Sequence, residues 1–184
     1  DIVDPDIDIP EGYRLIWQDE FNDSKLSTPD ESLWWYETGA SGWGNNEIQN
    51  YIPGSKNGET CAQVSNGTLK IIAKKVGNEV YSIRMNTVES WKYGYFEARL
   101  KLPAGKGTWP AFWMMPKNYT AWPDDGEIDI MERLNNDSIA YQTVHSHYTY
   151  TLGIKDHPVS HSTGVIHPDR YNIFAVEMYP DSLS

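Results

Sequence analysis

Apolar and polar residues alternate with a period of two along much of the chain, the spacing of strands with one buried and one wet face. Over 94–102, Tyr95, Glu97, Arg99 and Lys101 fall on one side and Phe96, Ala98, Leu100 and Leu102 on the other, which predicts a half-buried antiparallel strand. Over 171–179, Tyr171, Ile173, Ala175 and Glu177 oppose Phe174, Val176 and Met178 in the same way. Residues 13–21 read as a first strand, with Leu15 and Trp17 on one face and Ile16 on the other. Residues 68–76 lie between the hairpin signals Asn66-Gly67 and Gly77-Asn78, and 79–88 pairs next. In 106–116, Ala111, Trp113 and Met115 share a face against Phe112 and Met114. After the turn Asn135-Asn136-Asp137, 138–148 pairs back on the strand before it. Residues 22–37 are polar and turn-rich, with Trp34, Trp35 and Tyr36 covering an edge of the core, and 151–168 reads as a surface loop. The pattern predicts one all-β domain over 12–184. Residues 1–11 alternate acid, Ile and Pro, resist regular structure and read as a linker or tail.

One strand carries chemistry. Glu127, Asp129 and Glu132 stand within six residues, interleaved with Ile128, Ile130 and Met131. On a helix, Asp129 would sit about 200° and Glu132 about 140° from Glu127, so the acids share no face. On a strand, Glu127 and Asp129 share a face while Ile128 and Ile130 pack behind. Glu132 joins them only if one residue near Ile130-Met131 bulges and resets the alternation. Two glutamates leaning together then reach about 5–5.5 Å, the carboxyl separation of a retaining glycosidase. Like charges so close raise at least one pKa, giving an acid and a nucleophile from the same residue types. The alternative is an acidic strand edge that blunts aggregation.

Composition narrows the partners. At 184 residues the chain is long enough to bury a core. A net charge of −11 argues against nucleic acid and suits a neutral polysaccharide. Eight Trp and twelve Tyr supply sugar-stacking faces as well as β-core. Cys61 stands alone, so no intrachain disulfide forms, and it reads as a small buried side chain. No apolar run spans a membrane. Asp1 is not an initiator Met, so a missing signal peptide carries no weight. His145 and His147 share a strand face, but no third ligand stands at zinc spacing.

Glu127-Ile-Asp-Ile-Met-Glu132 resembles the catalytic signature of glycoside hydrolase family 16 in its bulged, laminarinase-type form. Three further segments resemble the same family in the same order. They are Leu15-Ile-Trp-Gln-Asp-Glu-Phe-Asn22, Trp43-Gly-Asn-Asn-Glu-Ile-Gln-Asn-Tyr51 and Gly107-Thr-Trp-Pro-Ala-Phe-Trp-Met-Met-Pro116. The resemblance implies a jelly-roll β-sandwich of two antiparallel sheets with a substrate groove on the concave face. It implies a retaining endo-β-glucanase acting on β-1,3-glucan (laminarin), mixed-linkage β-1,3/1,4-glucan, or both. The roles it implies are Glu127 as nucleophile, Glu132 as acid/base and Asp129 as the group between them. It further implies Asn46 in the groove with Trp43 and Glu47 in support, Arg84 facing the cleft, Trp109 and Trp113 beside the reaction centre, and His145 near Glu132. Trp122 rims the cleft. No cofactor is required. A structural calcium sits near the first strand in many members, which makes Glu20 a candidate ligand, with plain surface solvation as the alternative. Two other readings stay open: a non-catalytic β-glucan-binding protein on this fold, and a relative acting on a galactan such as agarose. The expected protein is an extracellular or cell-surface monomer, tethered through its N-terminal linker. The resemblance implies further strands after position 180, so the sequence reads as an incomplete chain.

Overall fold

The structure, a computed structural model, describes residues 7–184. Of the expected tail, residues 1–6 lie outside the described residues, and 7–10 form no regular element. The chain divides into two compact units, Asp1–Ser90 and Trp91–Ser184.

Among the described residues the first unit holds nine short strands: β1 (Trp34–Glu37), β2 (Gln49–Tyr51), β3 (Ser55–Lys56), β4 (Glu59–Thr60), β5 (Ala62–Ser65), β6 (Thr68–Ile71), β7 (Lys74–Val76), β8 (Glu79–Ser82) and β9 (Arg84–Thr87). The β5–β6 hairpin turns at Asn66-Gly67, where φ is 54° and 66°, as a type I′ turn requires. The expected strands at 68–76 and 79–88 each break in two. In the first, the partner changes across Ile72-Ala73: β6 pairs with β5, whereas β7 pairs with β8. In the second, buried Ile83 marks a change of partner: β8 lies between β2 and β7, whereas β9 pairs with β1. The core is Ile52, Cys61, Ala62, Tyr81 and Ile83, so Cys61 is buried as its composition suggested.

Residues 13–21 form no strand, which corrects the sequence reading. Side chains hold this segment instead. Asp19 takes the Phe21 amide on one oxygen and the Trp34 indole on the other, and Trp17 and Phe21 pack on Trp34.

The second unit contains β10 (Gly94–Leu100), β11 (Ala111–Met114), β12 (Glu127–Glu132), β13 (Ile139–His145), a π-helical turn (His147–Thr151), β14 (His161–Val165) and β15 (Asn172–Met178). An antiparallel sheet runs β11-β12-β13-β14, and β10 pairs with β15. The core cluster joins Ile130, Met131 and Ala140 of the sheet to Phe174 and Val176 of the pair, with Phe96, Leu100, Phe112, Met114 and Ile128 around them. Burying such side chains contributes roughly 1.5–3 kcal/mol each. β14 lies inside the span expected to be a loop. Its sequence, His-Ser-Thr-Gly-Val, offers no apolar alternation because four of its five residues are exposed.

Candidate active site

The site is built on β12. Against β13, Asp129 pairs with Thr143 and Glu132 with Tyr141, so Ile130 and Met131 stand opposite Gln142 alone. Against β11, Asp129 pairs with Trp113 and Met131 with Phe112, again skipping a residue. The extra residue sends both Ile130 and Met131 into the core, 4% and 1% exposed. That returns Glu132 to the face of Glu127 and Asp129. The charges of Asp129 and His145 act on both glutamates, as a shared face requires.

Asp129 is buried, 4% exposed, and meets His145 Nε2 at 3.1 Å. It also shares a hydrogen bond with Glu127. Burial, then the charge and bond of Asp129, push Glu127 up to about 7. The Trp122 indole N–H, donating to Glu127 Oε2 at 2.6 Å, pulls the other way, as does His145. Glu132 is raised by burial and by Asp129, and the Trp109 indole N–H opposes this from 2.8 Å. The bond to Asp129 holds His145 above the usual imidazole range. Protonated, that ring donates to Asp129 and offsets the negative charge of the cluster. Each glutamate therefore has one indole donor, and both face the same aspartate.

Two anchors set those indoles. The segment before Trp109 is tied to the end of β12. Buried Arg133 donates to the carbonyls of Pro103 and Asp137 at 2.9 and 2.8 Å, and Asn135 Oδ1 accepts the Gly107 amide. Trp122 rides a tight loop closed by Asp125. Its ring packs edge-on to Tyr150 at 4.6 Å and lies 5.8 Å from His145.

Of the expected site residues, Glu127, Asp129, Glu132, Trp109 and His145 come together here, and Trp113 pairs with Asp129 on the same face. His145 bonds Asp129 and reaches Glu132 through its charge alone. In the first unit, Arg84 pairs with Glu37 and lies over the Trp43 ring. Glu47 accepts from Asn45, Gln49 and Tyr51. Exposed Asn46, in the same loop, has φ 56°. Sequence reasoning placed Trp122 on a rim and missed its bond to Glu127, along with Asp125, Tyr150 and Arg133. No periodic signal marks any of these four.

Glu127, Asp129 and His145 each bring one oxygen or nitrogen within 4.8 Å of the others. Those groups are engaged with one another, as a proton-sharing network. Glu20, the candidate calcium ligand, is exposed, and Asp19 beside it accepts from the Phe21 amide and the Trp34 indole. No helix among the described residues is long and apolar enough to cross a membrane.

Residues 46–174 match the family described as XgeA-like, catalytic GH16 domain. The chain is 43% identical over 152 residues to a β-glucanase of Rhodothermus marinus, covering 77% of this chain and 51% of that protein. It is 43% identical over 130 residues to a glucan endo-1,3-β-glucosidase of Cryptopygus antarcticus, covering 65% and 46%. Among solved structures it resembles SCLam, a non-specific endo-β-1,3(4)-glucanase from family GH16. That likeness has a TM-score of 0.82 at 33% identity, over 96% of this chain and 69% of that one. The chain thus spans about half the length of the curated relatives it matches. The likeness carries the fold class, an all-β jelly-roll sandwich.

Proposed function

Because the chain belongs to glycoside hydrolase family 16, we propose that it is a retaining endo-β-glucanase cutting internal linkages of β-1,3-glucan and of mixed-linkage β-1,3/1,4-glucan. The observation that carries this is the extra residue of β12, which gathers Glu127, Asp129 and Glu132 on one face. The glucanases among its relatives support the substrate class. An extracellular or cell-surface monomer suits a polymeric substrate.

The reaction runs in two displacements. Ionised Glu127 attacks the anomeric carbon while the bond to the leaving oxygen breaks. Glu132 gives that oxygen its proton, and a glycosyl ester remains on Glu127. Glu132, now a carboxylate, takes a proton from water; the water oxygen attacks the same carbon and frees Glu127. Asp129 holds Glu127 and, by repulsion, keeps a proton on Glu132. The two indole donors fix where each carboxylate points.

Reducing-sugar release from laminarin and from barley glucan tests the proposal. Wild type is expected to release sugar from both. Glu127→Gln is expected to lose at least about a thousandfold in turnover while staying folded. Near-normal turnover in that variant, or binding without product in wild type, would overturn it.

A further inference from the structure

We infer that Asp125 is a positioning residue for this reaction: it folds the 120–125 turn so that the Trp122 indole N–H is delivered to Glu127. The inference rests on the catalytic reading above. One oxygen of Asp125 accepts three bonds, from the Thr120 amide at 2.5 Å, the Ala121 amide at 2.9 Å and the Thr120 hydroxyl at 3.1 Å. The chain then closes on itself, with the Asp125 amide donating to Ala121 O and the Gly126 amide to Pro123 O, both at 3.0 Å. Gly126 makes the exit with φ +91°, where a side chain would be strained. Trp122 sits at the apex of this closed loop.

Trp122 is 45% exposed, so packing alone does not hold its ring. Tyr150 meets it edge-on at 4.6 Å and His145 lies 5.8 Å away. The orientation of the indole is therefore set from its backbone, and the backbone is set by Asp125. The two amides that bond Asp125 also hold its carboxyl below the usual range, so the turn stays tied across the working pH. A second tie, between exposed Asp124 and His147 at 2.9 Å, fastens the loop to the π-helical turn. The charged groups that bear on Glu127 are Asp129 of its own strand and His145 of β13. Glu132 acts on the cluster through His145. Asp125 bonds none of these groups, so its effect on the reaction runs through Trp122.

A double-mutant cycle tests this. D125A is expected to lose about 10- to 100-fold in kcat, with KM changed by less than about threefold. D125N keeps an acceptor for the two amides and is expected to stay within about threefold of wild type. W122F removes the donor directly, and its loss and that of D125A are expected not to add. Removing a donor that favours ionised Glu127 raises its pKa further. The acidic limb of the pH profile then moves to higher pH in D125A and W122F, and stays put in D125N. Additive losses, an equal loss in D125N, or an unmoved limb would overturn the inference. Should D125A not fold, Asp125→Gln, one methylene too long for the turn, takes its place under the same criteria.

A readout independent of turnover separates this inference from the proposed function. The indole N–H proton resonance of Trp122 is expected to titrate with Glu127 in wild type and to lose that titration in D125A. If wild type cleaves no glucan but the resonance behaves so, the positioning role stands and the hydrolase reading falls. If the resonance titrates equally in both proteins, the positioning role falls.

Discussion

Glu127 carries a cost that its neighbours impose. Its folded pKa of about 7 lies above the ordinary 4.5. Between those values the folded chain keeps a proton that the unfolded chain has released. The stability linked to that proton is full below the unfolded value and is lost as pH rises through about 7. Glu127→Gln does not titrate, so it escapes the loss. Thermal melts are expected to show the variant gaining on wild type at about pH 8 relative to about pH 5. An equal difference at both pH values would mean that Glu127 is not strained by its site. Trp109→Phe is the counterpart at Glu132. The indole bond lowers that pKa, so losing it moves the basic limb of the pH profile to higher pH. Turnover is expected to fall about tenfold. The three acids were legible in the sequence because alternation and one slipped residue put them on a common face. The indole donors were not, because a bond from Trp122 to Glu127 depends on the closure of a loop that has no period.

The element that makes the site is the bulge in β12. Inserting one alanine between Met131 and Glu132 would shift the alternation by a further residue and turn Glu132 toward the core beside Ile130. The insertion is expected to abolish activity and also to lower the melting temperature, since it forces a carboxylate among Phe174, Val176 and Ala140. Glu132→Gln should abolish activity without the second effect, and melts on both proteins check the contrast. Arg133 closes the same strand. Arg133→Ala leaves two carbonyls without their cationic donor and is expected to cost about 3 kcal/mol or more by urea unfolding. The strands at 94–100 and 172–178 were legible because one face of each is apolar and meets a core. β14 was not, since four of its five residues stay exposed. Residues 13–21 alternate as a strand does, yet they are held by Asp19 and by stacked aromatic rings rather than by a ladder.

For the whole molecule, charge and aromatic content suit the proposed glucan. A net charge of −11 offers nothing to a polyanion, and a neutral glucan needs no attraction. The value of kcat/KM on laminarin is therefore expected to change less than about twofold between roughly 0.05 and 0.5 M salt. A steep fall with salt would point to a charged substrate. The family was legible because its motifs lie in order along the chain, from Leu15 to Glu132. Linkage preference was not, because it depends on loop shape at positions such as Asn46 and Trp122. Double displacement between Glu127 and Glu132 is read out by proton NMR of the anomeric signals during the first minutes of glucan digestion. The β-anomer of the new reducing end is expected to appear first and to mutarotate later. Initial release of the α-anomer would exclude double displacement.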